Sequence, residues 1–76
     1  MGKLITKFDK NSREEVRLSL TEFKGRKLLD FRVYFEPSEG GDRLPTKKGI
    51  TISVDLYPEL KRAIEKAGEF LTKSGG

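Results

Sequence analysis

The chain has 76 residues, of which 37% are charged and 34% hydrophobic, and its formal net charge is +4. This length accommodates one small domain, residues 1–76, and leaves no room for a second. Because the chain contains no His and no Cys, disulfides, the usual transition-metal sites and Ser–His or Cys–His catalysis are excluded. We therefore expect no enzyme, no metal and no cofactor, and a core this small favours oligomerisation.

Two runs of alternating apolar and polar residues predict the central strands. The first run covers residues 16–21 and the second covers residues 27–35. Alternation with period two is typical of a strand with one buried face. Gly25 stands between the runs, so residues 23–27 are predicted to form a hairpin connection in which Gly25 adopts a positive φ.

One further strand is predicted on each side of this hairpin. An apolar stretch, Leu4–Phe8, precedes it, and residues 50–54 alternate again in a strand that begins near Thr46. Pro and Gly between residues 37 and 41 mark a longer turn before this last strand. Short connections favour antiparallel neighbours.

The tail of the chain changes to helical spacing. Its apolar stripe consists of Leu56, Leu60, Ala63, Ile64, Ala67, Phe70 and Leu71. Ser53 is the predicted N-cap, and the helix is predicted to start at Asp55 or Pro58 and to end near Thr72, with Ser74–Gly76 frayed. The predicted order is four strands followed by one helix. No apolar run reaches the roughly 18 residues of a membrane span, so we expect no membrane partner.

One helix can cover one face of such a sheet, which leaves the second face open. That face would carry Arg17, Ser19, Thr21, Phe23, Asp30, Arg32 and Tyr34. Cations and aromatic rings arranged in this way are typical of platforms for single-stranded nucleic acid, where cations hold phosphates and rings stack on bases. A solvated face with incidental aromatic residues is the alternative.

The densest chemical feature is the segment Phe23-Lys-Gly-Arg-Lys27 at the hairpin. A ring beside three cations can stack on a base while the cations bind neighbouring phosphates. The alternative is an ordinary charged hairpin with Phe23 in the core. Lys47 and Lys48, before the last strand, provide a second cationic point or a soluble entry to that strand.

Together, the segment FKGRKLLDFRVYF at residues 23–35, a turn with Pro and Gly, the segment PTKKGITI at residues 45–52 and a final helix resemble the transcriptional positive cofactor four family. The resemblance covers about residues 16–71. It implies an α+β fold: a curved four-stranded antiparallel sheet followed by one C-terminal helix, paired as a homodimer, with its core at about residues 16–72. It also implies binding of single-stranded or melted DNA with little sequence preference, in transcription regulation or in DNA repair and replication.

The resemblance and the basic face together give the predicted site. The predicted nucleic-acid contacts are Arg17, Phe23, Lys24, Arg26, Lys27, Arg32, Phe35, Lys47 and Lys48. The predicted dimer contacts on the helix are Leu56, Tyr57, Leu60, Ile64 and Ala67. Phe35 stands where the family often has Trp, and Thr46 replaces a Gly. The alternation places Phe35 on the face opposite Arg32.

A second hypothesis is a protein-interaction adaptor that docks acidic partners of the transcription machinery through its basic face and helix. RNA is a further possible ligand. We expect a cytoplasmic or nucleoid location if the protein is prokaryotic or from a phage, and a nuclear one if it is eukaryotic.

Overall fold

Four antiparallel strands in sequential order form the sheet of the computed structural model, which describes residues 2–75. The strands are β1 (Lys3–Asp9), β2 (Glu14–Phe23), β3 (Arg26–Phe35) and β4 (Leu44–Ser53). A 3₁₀ turn, Val54–Leu56, leads into the helix α1, Tyr57–Gly75. This arrangement confirms the predicted order of elements.

The pairing of β2 with β3 divides the sheet into two faces, because directly opposed residues point to the same side. The apolar face carries Val16, Leu18, Leu20, Leu29, Phe31, Val33, Ile50 and Ile52. The polar face carries Glu15, Arg17, Ser19, Thr21, Phe23, Arg26, Asp30, Arg32, Tyr34 and Thr51. Every residue predicted for the open face therefore lies on one side of the sheet.

The hairpin between β2 and β3 has the two-residue turn Lys24–Gly25. Both residues have positive φ, 53° at Lys24 and 79° at Gly25. Two positive φ values in a two-residue loop match the right-handed twist of the flanking strands. The prediction for Gly25 is confirmed, and Lys24 shares the same unusual conformation.

The pairing of β3 with β4 is interrupted by a bulge. Arg32 lies opposite Gly49 and Tyr34 lies opposite Pro45, so four steps along β4 accompany two steps along β3. Two extra residues are thus accommodated in the segment Thr46–Lys48, which we call the β4 bulge. The strand also begins at Leu44, two residues before the predicted start.

The helix does not fold back over the sheet. Ser53 Oγ accepts a hydrogen bond from the Asp55 amide at 3.2 Å, as expected of the N-cap. The main contacts of α1 outside itself are with the 3₁₀ turn, and every residue from 61 to 73 is exposed. The stripe was expected to pack under the sheet and across a dimer; within a single chain it does not cover a sheet face. The helix also continues past Thr72 to Gly75, and Gly76 lies outside the described residues.

Consequently a single chain has almost no core. Among the side chains that the structure describes, Leu29 is the one buried hydrophobic residue, at 9% exposure. The large apolar side chains Ile64, Phe70 and Leu71 are 58%, 73% and 71% exposed. Within residues 2–75, no helix is long and apolar enough to span a membrane.

Candidate nucleic-acid interface

The hairpin tip brings a ring and two cations together on the polar face. Phe23 is 62% exposed, so it does not belong to a core. Lys24 Nζ lies 5.3 Å from the centroid of the Phe23 ring, and Arg26 is the direct cross-strand partner of Phe23. Lys27 is exposed and pairs with Glu22, so the register directs it to the other side.

Arg17 lies over the ring of Tyr34 in the middle of the polar face. Its guanidinium carbon is 4.1 Å from the ring centroid, which is cation–π geometry. The Nε of Arg17 donates a hydrogen bond to the carboxylate of Glu15. The positive charge of Arg17 is thus compensated by a neighbour on its own strand.

Arg32 is held by four hydrogen bonds on the same face. Its Nε and Nη2 donate to the two carboxylate oxygens of Asp30, at 3.2 and 2.9 Å. Nη2 also lies 3.4 Å from the hydroxyl of Thr51, which in turn donates to Asp30 at 2.8 Å. Nη1 donates to the backbone carbonyl of Thr46 at 2.9 Å. The side chain is therefore fixed in position before any ligand binds.

The pairing with Asp30 changes the protonation equilibria of both groups. The hydrogen bond from Arg32 lowers the pKa of Asp30 below its ordinary value, although desolvation opposes the shift. The same hydrogen bond raises the pKa of Arg32. Both groups remain ionised at neutral pH, so the pair contributes little net charge to the face.

Glu15 is the centre of an ion-pair cluster that the sequence reasoning did not find. It is only 4% exposed. Arg43 Nη1 donates to its carboxylate at 2.9 Å, and Lys7 Nζ lies 3.8 Å away. The hydrogen bond from Arg17 is the largest of several effects that lower the pKa of Glu15. A signal was present in the sequence: Glu15 and Arg17 are two residues apart on β2, so they lie on the same side of the strand.

The β4 bulge carries the second pair of predicted cations. Lys47 and Lys48 are both exposed. Thr46 Oγ1 donates to the Val33 carbonyl at 2.8 Å and accepts from the Lys48 amide at 3.1 Å. Exposed cations therefore lie at the hairpin tip and at the β4 bulge, whereas the cations between them are paired with carboxylates.

Phe35 lies apart from the other predicted ring. The register pairs it with Glu14 on one side and Leu44 on the other, which places it on the apolar side of the sheet. It is 37% exposed. The structure does not bring Phe35 together with Phe23 and Arg32, and its stacking role stays a prediction.

The described part of the chain contains no group of three or more acidic residues placed to hold a metal ion. The polar face carries hydrogen-bond donors, positive charges, the carboxylates of Glu15 and Asp30 and the exposed ring of Phe23. Such groups are suited to binding and orienting a ligand rather than to covalent chemistry.

Solved structures share this fold. A PC4 homologue from Burkholderia pseudomallei, BPSL1147, superposes with a TM-score of 0.81 at 28% identity, covering 90% of this chain and 98% of that chain. A bacteriophage T5 homologue of the eukaryotic transcription coactivator PC4, implicated in recombination-dependent DNA replication, superposes with a TM-score of 0.65 at 22% identity. It covers 97% of this chain and 81% of its own, and at this identity it shows the fold alone.

Curated relatives carry transcription coactivator names. The RNA polymerase II transcriptional coactivator SUB1 of Saccharomyces cerevisiae is 38% identical over 59 residues, which are 78% of this chain and 20% of that protein. An RNA polymerase II transcriptional coactivator of Drosophila melanogaster is 38% identical over an alignment of 56 positions that covers 64% of this chain and 49% of that protein. The chain therefore spans between about a fifth and a half of the length of these two relatives.

The family comparison agrees with the motifs from which the resemblance was inferred. The family model described as Transcriptional Coactivator p15 (PC4) matches residues 10–63, which is more than half of the chain. This match includes the β2–β3 hairpin, the β4 bulge and the start of the helix. The chain belongs to the Transcriptional Coactivator p15 (PC4) family.

Proposed function

We propose that the protein is a homodimer that binds single-stranded DNA with little sequence preference, in transcription regulation or in DNA repair and replication. The observation that carries this proposal is the open polar face. An exposed ring and two cations lie at one end of it, and two further lysines lie in the β4 bulge. Membership of a coactivator family supports a role in transcription. The replication role is proposed by analogy with the bacteriophage T5 protein of the same fold, which is implicated in recombination-dependent DNA replication.

The apolar surface that a single chain leaves uncovered supports the proposed dimer. Ile50 on the sheet is 53% exposed, and Leu56, Tyr57 and Ile64 along the turn and helix are 49%, 51% and 58% exposed. Burying apolar area is worth about 25 cal/mol per Å², and a second copy of the chain would bring an equally uncovered apolar surface to bury against it. The predicted contacts Leu56, Tyr57, Leu60, Ile64 and Ala67 all belong to that surface.

Binding would combine phosphate contacts with stacking. Lys24 and Arg26 at the tip, and Lys47 and Lys48 at the β4 bulge, are placed to neutralise phosphates. Arg26 and Arg32 are six residues apart on β3, which corresponds to about 20 Å of strand. A single strand therefore has to run along the face to reach both groups of cations. Arg17 and Arg32 line the face between these two groups, whereas the predicted contacts Lys27 and Phe35 would have to reach the DNA from the other side of the sheet.

The exposed ring of Phe23 favours a single strand over a duplex. A base must leave its stack before a protein ring can stack on it, and unpaired bases do this at little cost. Phe23 stands at the tip of a hairpin, where a base can approach the ring from solvent. Stacking on a ring does not distinguish strongly between bases, so little sequence preference is expected.

The decisive measurement is a titration of labelled oligo-dT, the matching duplex and an RNA of equal length at two salt concentrations. With about four phosphates neutralised per subunit, log K should fall against log salt with a slope near −3, because each phosphate contributes about −0.7 on single strands. The proposal predicts that oligo-dT binds more tightly than the duplex. An affinity independent of salt contradicts it, and no binding at low salt favours the adaptor that docks acidic protein partners.

A further inference from the structure

The β4 bulge is an unusual way to present two cations. Two residues more than the ladder requires are inserted between Pro45 and Gly49, so Lys47 and Lys48 lack regular strand pairing. A flexible segment would lose conformational entropy when it binds a ligand. The interactions that hold the bulge in place therefore affect the affinity of its lysines for a ligand.

Three hydrogen bonds join the bulge to β3 or close it on itself. Thr46 Oγ1 donates to the Val33 carbonyl at 2.8 Å, and the Lys48 amide donates to Thr46 Oγ1 at 3.1 Å. The third bond is the 2.9 Å contact from Arg32 Nη1 to the Thr46 carbonyl. It is the one bond of the three in which a long side chain on the sheet holds the backbone of the bulge.

Arg32 can do this because its other donors are anchored. Asp30 accepts from both Nε and Nη2, and Thr51 on β4 supports Asp30 with a 2.8 Å hydrogen bond. The guanidinium fork is thus locked in one plane, with Nη1 directed at Thr46. A lysine ammonium has no such fork and cannot hold two carboxylate oxygens in a plane while reaching a third acceptor.

Resting on the proposed DNA binding, we propose that Arg32 is a positioning residue that holds the β4 bulge, and that it contributes to DNA affinity mainly through Lys47 and Lys48. Four of its hydrogen bonds point into the protein, and its charge is paired with that of Asp30. The exposed lysines of the bulge can bind a phosphate more readily than the Arg32 guanidinium can, because the donors of Arg32 already have partners in the protein. The geometry assigns the direct contact to the lysines and the support to Arg32.

A double-mutant cycle tests this assignment. At 0.1 M salt we expect K47A/K48A to lose about 25-fold in oligo-dT affinity, because each phosphate contact is worth about fivefold at that concentration. R32K keeps the charge but should still lose at least about fivefold. It should cause no further loss in the K47A/K48A background, while its effect should multiply with that of K24A. Wild-type affinity in R32K, or losses that multiply with K47A/K48A, overturns the proposal.

Asp30→Asn is the second variant, and it removes a negative charge from the face. If Arg32 binds DNA directly, this change should strengthen binding because the Asp30 charge no longer opposes the phosphates. If Arg32 positions the bulge, D30N should weaken binding, again with no further loss in K47A/K48A. Tighter binding by D30N therefore overturns the proposal even if R32K folds poorly.

Amide hydrogen exchange in the DNA-free protein separates this proposal from the proposed function. The Lys48 amide, bonded to Thr46 Oγ1, should exchange several-fold faster in R32K, whereas the Asp55 amide at the helix cap should not change. Unchanged exchange at Lys48 overturns the positioning role. If the wild type does not bind oligo-dT but the Lys48 amide responds, the proposed function fails while the role of Arg32 in holding the bulge stands.

Discussion

The guanidinium of Arg43 lies 2.9 Å from the carboxylate of Glu15, although 28 residues separate them in the chain. Arg43 also approaches Asp9 at 3.9 Å and Glu36 at 3.6 Å, and its Nη2 donates to the Ser12 carbonyl at 3.4 Å. One side chain from the β3–β4 connection thus joins the β1–β2 connection to the middle strands.

Replacing Arg43 with Ala should lower the midpoint of thermal unfolding, because Glu15 would keep a charge at 4% exposure with fewer donors to compensate it. Arg62→Ala is the matched control, since it removes an Arg whose 3.1 Å pair with Glu59 is exposed on the helix. Such exposed pairs contribute little. A larger effect from Arg62 than from Arg43 in calorimetry would contradict this ranking.

Phe23→Ala should weaken oligo-dT binding by about 1–3 kcal/mol, which is the cost of losing one base–ring stack. Because Phe23 is 62% exposed, the variant should fold and assemble as the wild type does. Phe23→Tyr keeps the ring and should retain most of the affinity. Fluorescence anisotropy measures the affinities, and an equal loss in both variants would argue against stacking.

Phe35→Ala tests the other predicted ring. The register places this ring on the apolar side, so its loss should reduce the stability of the folded protein more than that of Phe23. Parallel urea unfolding and oligo-dT titrations measure both effects. Loss of affinity without loss of stability would show that Phe35 reaches the DNA from its side of the sheet.

Gly49→Ala should destabilise the fold by about 1–3 kcal/mol, a range typical of overpacking. A Cβ at this position would overlap the Phe31 carbonyl oxygen and approach Arg32 Cα to 2.9 Å. Gly40→Ala is the control, because its φ is also positive, at 85°, but no atom lies within 4 Å of the added Cβ. Denaturant unfolding should show the smaller effect at Gly40, and equal effects would remove the steric explanation.

Ile64→Glu should weaken the proposed dimer by at least about tenfold, because it places a charge within the apolar stripe. Arg62→Glu introduces the same side chain two residues earlier, about 200° around the helix axis. Sedimentation equilibrium should detect dissociation in the first variant and leave the second dimeric. If both variants remain dimeric, the stripe does not form the interface.

Stability should decrease in acid, in part through Asp30. The hydrogen bond from Arg32 lowers the pKa of Asp30 in the folded protein. In the unfolded chain the pKa of an Asp is about 3.9. The ionised form therefore stabilises the fold above that pH, and this contribution disappears as the pH falls through the lower folded value. At fixed protein concentration, Asp30→Asn and wild type should differ most in free energy of unfolding above about pH 5 and converge towards pH 2.

Local patterns were sufficient to predict most of the sheet. Alternation placed Arg17 and Arg32 on one face, and Gly25 marked the hairpin. These features depend on neighbours two or three residues away. The same alternation count also separated Phe35 from Arg32, as the register shows.

The rest depends on contacts that no local period encodes. The pair of Arg43 with Glu15 joins the β3–β4 connection to β2, 28 residues away in the chain. The two extra residues of the β4 bulge have no sequence signal other than Gly49. The helical spacing predicts an apolar stripe but not which surface covers it. In the single chain the stripe is exposed.

If the outward helix is covered by a second chain, as proposed, folding requires two chains to associate. In the proposed dimer, most of the apolar area meets water until a second chain arrives, so the thermal midpoint should rise as the protein is concentrated. Dilution would then unfold the protein at a temperature at which a concentrated sample is intact. The concentration of the chain would thereby determine the fraction of it that is folded.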